Sequence, residues 1–232
     1  MFELQKKELC KYGIKVLESG LVRGTGGNLS VRVGDSGEYY IITPSGMDYK
    51  LISPKDIPVI AIGDGKKIEG NNKPSIEHIM HREIYIKRPD VKAIIHTHSF
   101  YAKVLSIIGE QLPTIDLSVV LMGGAIQVAP YARPGTKELA KEVLQALENR
   151  KAVLLANHGQ VSVGSSLKEA FNTALSLEEC AHMYVLARSV VAANSISVIN
   201  ELPDELNAYF KKNYGQKKDM ANEEASSMNS KC

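Results

Sequence analysis

The stretch Val91-Lys92-Ala93-Ile94-Ile95-His96-Thr97-His98-Ser99 decides how the chain is read. An apolar run broken only by Lys92 predicts a buried strand. Side chains alternate across a strand, so His96 and His98 project from the same face. They stand at the strand's end, where a site can open. Imidazole nitrogens bind zinc at about 2.0–2.1 Å, and an i, i+2 pair on a strand can meet that distance. Taken alone, the pair is common and weak, and is better explained as two polar residues at a strand terminus.

A second apolar strand, 152–156, ends in a similar way, in Asn157-His158-Gly159. The glycine permits a sharp turn there. A turn histidine bonded to its own backbone would explain His158 alone. Two strand-end histidine features together favour a three-histidine site. Three neutral imidazoles with one open position form a catalytic rather than a closed structural arrangement. His78, His81 and His182 fall on predicted helices, where surface positions are expected.

Upstream, Pro74-Ser75 opens a predicted helix to about residue 88, with Ser75 as its N-cap. Glu77 falls in the first turn, where the helix dipole favours a carboxylate. The same position would suit an acid/base beside a metal. The free amides and the Ser75 hydroxyl make that helix end an anion site. Gly26-Gly27-Asn28 adds backbone N–H groups and a side-chain amide. Thr43-Pro44-Ser45-Gly46 adds hydroxyls and a glycine N–H. Each is an ordinary turn by itself. Together, three donor-rich loops ahead of the histidine strand suit a phosphate monoester.

The rest of the pattern supplies a frame. Helices are predicted over 2–19, 99–108, 136–149, 167–191 and 203–212. Strands are predicted over 29–33, 39–43, 58–62, 67–69 and 161–163, with an apolar segment at 119–128 split by Gly123-Gly124. The fold class is therefore α/β: one domain over 1–216, with a mixed, mostly antiparallel sheet flanked by helices. Residues 217–232 read as a polar, disordered tail. The chain has 232 residues, 44% hydrophobic and 23% charged, with a formal net charge of +2. That balance and the absence of Trp argue against a nucleic-acid partner. Cys10, Cys180 and Cys232 form no disulfide framework. No apolar run approaches a membrane span and no leader pattern opens the chain, so a cytoplasmic location is expected.

Six pieces then resemble one family, the class II aldolases and adducins: 24–32 (GTGGNLSVR), 42–46 (ITPSG), 74–77 (PSIE), 88–98 (RPDVKAIIHTH), 129–136 (APYARPGT) and 154–159 (LLANHG). The resemblance runs from about 5 to 215. It implies zinc on His96, His98 and His158, with Glu77 as fourth ligand at rest and acid/base during turnover. It implies a phosphate site at Gly27, Asn28, Ser45, Gly46, Ser75 and Ile76. It implies a homotetramer acting on a small sugar phosphate, with Tyr214 reaching a neighbour's site as a catalytic residue. The expected reaction is reversible cleavage of a ketose 1-phosphate of the L-fuculose 1-phosphate kind to dihydroxyacetone phosphate and an aldehyde. The alternative on this scaffold is a 4-epimerase, or a related sugar-phosphate lyase or dehydratase. Two residues depart from the pattern. Ile76 replaces a second serine. Leu117 stands where the fuculose-phosphate branch has a tyrosine, which leaves the aldehyde partner open.

Overall fold

The computed structural model describes residues 1–194, 198–203 and 205–210. The expected tail at 217–232, and Tyr214, lie outside the described residues. Eight strands form one sheet: β1 (Asn28–Val33), β2 (Tyr39–Ile42), β3 (Val59–Ala61), β4 (Lys67–Glu69), β5 (Ala93–Thr97), β6 (Val128–Ala129), β7 (Ala152–Leu155) and β8 (Gly159–Gly164). Their spatial order is β4-β3-β2-β1-β5-β8-β7-β6. Among these strands, the β6–β7 pair is parallel and the other pairs are antiparallel. The mixed, mostly antiparallel sheet expected from the sequence is therefore present.

Among the described residues, seven α-helices accompany the sheet: α1 (Glu3–Glu18), α2 (His78–Lys87), α3 (Phe100–Ile108), α4 (Leu117–Leu121), α5 (Lys137–Leu147), α6 (Leu167–Ala193) and α7 (Glu205–Phe210). Alternation along β5 shows how they cover the sheet. Ile94 packs in a cluster with Met80 and Ile84 of α2 and Leu139 and Val143 of α5. Ala93 and Ile95 face the other way, with Leu9 and Val16 of α1 and Ala170 and Ala174 of α6. Both faces of the central strands are thus buried, so β5 lacks the polar alternation of a half-exposed strand. Helix α5 forms where its apolar spacing predicts. The Thr136 hydroxyl accepts the Leu139 N–H at 3.2 Å to cap it, and Leu139, Ala140, Val143 and Leu147 are buried. Among the described residues, no helix is long and apolar enough to cross a membrane.

Two expectations need correction. Helix α2 starts at His78 rather than at Ser75. Pro44 and Pro74 pair as an isolated bridge. The Ser45 N–H donates to the Lys73 carbonyl at 3.0 Å, and the Ser75 N–H to the Thr43 carbonyl at 3.1 Å. Those bonds keep 73–75 extended, so Glu77 becomes the N-cap residue rather than a first-turn residue. His81 is not a surface residue either. It is fully buried, with Nδ1 2.6 Å from the Ser30 hydroxyl, which lies 2.7 Å from Tyr85 Oη. The face of α2 that packs on the sheet includes His81, and β1 supplies the hydroxyl that makes its burial tolerable.

Gly159 opens β8 directly after His158. A Cβ at that position would collide with the Thr97 carbonyl oxygen and approach His98 Cα to 3.3 Å. The glycine therefore allows two histidine-bearing segments to pass at backbone distance. Gly159→Ala should destabilise the protein by about 1–3 kcal/mol or more, the range for overpacking a rigid site. Gly63→Ala, where no atom lies within 4 Å of the added Cβ, serves as control. Urea unfolding of the two variants measures this, and equal midpoints would refute the close-approach argument.

Candidate metal centre and phosphate cradle

Antiparallel pairing sets the site at one end of the sheet. In register, Asn28 of β1 opposes His96 of β5, and Thr97 opposes Gln160 of β8. The end of β5 therefore meets the starts of β1 and β8. The β7–β8 turn carries His158, with Asn157 in the left-handed region at φ 58°. The bridge between Pro44 and Pro74 continues the sheet from β2 and delivers Glu77.

Four side chains converge there. The ligand atoms of Glu77, His96, His98 and His158 all lie within 4.8 Å of one another. His96 Nε2 is 3.0 Å from His98 Nε2 and 3.1 Å from Glu77 Oε2, and His158 Nε2 is 3.6 Å from Glu77 Oε1. The three ring centroids are 4.7–4.9 Å apart, so no imidazole stands aside. Bonds of about 2.0–2.1 Å in a tetrahedron give ligand–ligand edges of about 3.3–3.4 Å. The observed separations bracket that value.

The surroundings also suit a cation. Glu77 is 4% exposed and His96 fully buried. Among the described residues, Glu77 Oε1 and His158 Nδ1 are buried without a hydrogen-bond partner. A buried carboxylate oxygen left unpaired is costly, and a metal ion would satisfy it. The His96 Nδ1–H donates to the Gln160 carbonyl at 2.8 Å, which leaves the Nε2 lone pair facing the cluster. A His/Glu set of this kind fits a divalent metal, and zinc is within its range.

Burial pushes the Glu77 carboxyl up. His96, His158 and the Asn28 amide outweigh that and hold it well below the usual carboxylate range. Burial would lower His96, but Glu77 raises it instead. Burial, His96 and His158 bring His98 down to about 3, and burial with His96 brings His158 to about 4. At neutral pH these two imidazoles are uncharged and free to ligate.

The expected phosphate residues line the same sheet end. Gly27, at φ +71°, lies where a Cβ would meet the His96 carbonyl oxygen at 2.5 Å. Gly26 sits beside His98 Nδ1. The Asn28 side chain does not stand open for a ligand. It is buried, and Nδ2 donates to Glu77 Oε2 at 2.8 Å. The Ser45 and Ser75 amides are engaged in the sheet extension. The Ser75 hydroxyl accepts the Glu77 N–H at 3.3 Å. Among the described residues, the N–H groups of Gly27, Gly46 and Ile76 are the cradle amides without a partner. A Cβ added to Gly46 would meet no atom within 4 Å, so space is open there. Gly135 packs on the Ile76 carbonyl and brings the 129–136 loop to the rim. Leu117 lies half-exposed on α4. Nothing in the local sequence marks Gln160 as a partner of His96, since it contributes only a backbone carbonyl. The buried Tyr49, whose hydroxyl donates to the Gly26 carbonyl at 3.1 Å, is equally unmarked.

The electrostatics predict a pH dependence. His98, His158 and His81 (pushed by burial to about 3) stay neutral in the folded, metal-free protein. In the unfolded chain they protonate from about pH 6.5 downward. The unfolded state then binds more protons, so their contribution is present above about pH 6.5 and is lost as pH falls toward 3–4. His96 acts in the opposite direction but is one group against three. Chelated protein should unfold at lower urea at pH 5 than at pH 7.5; an equal or higher midpoint at pH 5 would contradict this.

Comparison with known proteins agrees with this geometry. The family pattern of the Class II Aldolase and Adducin N-terminal domain matches residues 7–185. A 5-deoxy-D-ribulose 1-phosphate aldolase of Bacillus thuringiensis serovar kurstaki is 39% identical over 190 residues, 82% of this chain and 88% of the relative. A 5-methylthioribulose-1-phosphate/5-deoxyribulose-1-phosphate aldolase of Rhodospirillum rubrum is 42% identical over 171 residues, 73% of this chain and 75% of the relative. A solved L-fuculose 1-phosphate aldolase superposes with a TM-score of 0.84 at 41% identity, covering 90% of this chain and 95% of that one. A match over most of the chain, with a Glu/His cluster at the sheet end, means that the protein belongs to the class II aldolase and adducin family, as one of its lyases.

Proposed function

We propose that the protein is a zinc-dependent aldolase that reversibly cleaves a ketose 1-phosphate to dihydroxyacetone phosphate and an aldehyde. The observation that carries this reading is the buried Glu77 carboxylate, 3.1 Å from His96 Nε2 and 3.6 Å from His158 Nε2. His96, His98 and His158 would hold the ion, which would leave the Glu77 carboxylate available to take up a proton. Bound zinc would supply the positive charge that stabilises a carbanion next to a carbonyl.

The chain's own groups do the rest. Glu77 is anionic at neutral pH and accepts the proton from the dihydroxyacetone phosphate carbon, then returns it. The Asn28 amide fixes Oε2 of that carboxylate. The amides of Gly27, Gly46 and Ile76 and the hydroxyls of Ser45 and Ser75 receive the phosphate, which holds the reacting carbons in place. Tyr214 of a neighbouring subunit in a homotetramer protonates the aldehyde oxygen. The named relatives make 5-deoxyribulose 1-phosphate a candidate beside L-fuculose 1-phosphate. Leu117, an alkyl group without a hydroxyl, suits an aldehyde with fewer polar contacts.

A cleavage screen of both sugars and L-ribulose 5-phosphate, with coupled detection of dihydroxyacetone phosphate, tests the reaction. Release from a ketose 1-phosphate is expected. Epimerisation of the pentulose 5-phosphate without release would replace the aldolase reading. Chelation should abolish cleavage and zinc restore it, and His96→Ala, His98→Ala and His158→Ala should each lose stoichiometric metal. Glu77→Gln should lower turnover at least about 10²-fold, the scale of a positioned proton-transfer group, while keeping much of the metal. Solvent-deuterium exchange at dihydroxyacetone phosphate should stop with it, and continued exchange would place the base elsewhere.

Tyr214→Phe should reduce turnover by about 10²-fold without metal loss. Mixing it with Glu77→Gln and allowing subunits to exchange creates some sites with both residues intact. Partial recovery of activity is expected. No recovery after verified exchange would mean that Tyr214 does not serve a neighbour.

A further inference from the structure

Helix α3 begins two residues after His98, and its N-terminus is held from a distance. Its N-cap residue, Ser99, makes no side-chain capping bond. The amides an N-cap side chain ordinarily satisfies are those of the second and third helical residues. Here the N–H groups of Tyr101 and Ala102 donate to the two carboxylate oxygens of Glu178, at 2.8 and 2.9 Å. Glu178 lies on α6. One turn further along, His182 stacks on the Tyr101 ring at 3.8 Å and 11°.

Ser99, not needed as a cap, takes another partner. Its hydroxyl accepts from Gln160 Nε2 at 2.9 Å. Gln160 is fully buried, and the same Nε2 also donates to the Ala174 carbonyl of α6 at 3.2 Å. Its Oε1 accepts the Ser162 hydroxyl at 3.0 Å. Its main-chain carbonyl accepts from His96 Nδ1. The segment from His96 to Ala102, including His98, is therefore held between β8 and α6.

The charge arrangement has a direction. A helix N-terminus carries the equivalent of about half a positive charge. Placed just after His98, it opposes binding of a cation. The Glu178 carboxylate lies on the very amides that carry that charge. We propose that Glu178 is a positioning residue of the metal centre: it fixes His98 through α3 and neutralises the helix terminus, so that the site binds a divalent cation more tightly. This rests on the reading of Glu77, His96, His98 and His158 as metal ligands.

The test uses the full-length protein and two variants. Glu178→Gln keeps the shape and one acceptor but removes the charge. Glu178→Ala removes both. Zn²⁺ affinity is measured by competition with a chromophoric chelator, and ligand geometry by the visible spectrum of the Co²⁺-loaded protein. Circular dichroism and urea unfolding of the chelated protein report the fold. Glu178→Ala should raise the Zn²⁺ Kd ten- to hundredfold, the range for groups that orient metal ligands, and shift the Co²⁺ spectrum. Glu178→Gln should raise it about tenfold with the fold retained. A cap of purely structural importance would lower the unfolding midpoint and leave Kd within twofold of wild type, and that result overturns the proposal. Should Glu178→Ala fail to fold, Glu178→Gln decides by the same criterion. A wild-type protein without stoichiometric Zn²⁺ would remove the metal reading and this inference together, an outcome distinct from equally tight binding by all three proteins.

Discussion

The centre of the molecule depends on β5 pairing antiparallel with β1 on one side and β8 on the other. Both registers are deep in the sheet, and every residue of β5 is buried. A one-residue slip in either pair would turn His96 to the opposite face, where α1 and α6 pack. Burying the His96 imidazole in that apolar layer, and losing its bond to the Gln160 carbonyl, opposes the slip. The same packing that stabilises the sheet thus fixes the direction of the imidazoles.

Within that frame the cluster is an arrangement of opposed charges in a poorly solvated place. Glu77 is buried as an anion, which is unfavourable without compensation. His96 and the Asn28 amide supply the compensation. Because His98 and His158 stay neutral, the protein alone leaves lone pairs and one carboxylate oxygen facing each other. A cation resolves that conflict, so the metal-free geometry already favours one.

The loops that border the cluster divide their work. Ser45 and Ser75 use their amides to extend the sheet, and this delays the start of α2 until Glu77 has passed. The neighbouring amides of Gly46 and Ile76 stay open, as does that of Gly27 in its own turn. Ile76, in place of a hydroxyl residue, can offer only its backbone. Gly135 packs against that backbone and ties the 129–136 loop to the same rim.

Much of this is legible in the residues themselves. Periodicity locates β5, β7, α1, α5 and α6, because a strand between two layers and an amphipathic helix impose different spacings. His-x-His at a strand end and His158 before a glycine mark the site, because alternation and turn chemistry are local. Other features depend on contacts across tens of residues. Ser75 looks like a helix cap, yet a pairing with the 43–45 segment holds it extended. His81 looks like a surface residue, yet α2 turns it onto Ser30. The start of α3 is legible near residue 99, yet its first amides are held by Glu178, 77 residues away from Tyr101. The sequence alone determined most of the elements, though not the short helix α4, together with the family and the candidate ligands. Only the tertiary structure decided which amides stay free, which histidine is buried and what restrains His98, because each is settled by competition between local hydrogen bonds and partners that only the folded sheet brings near.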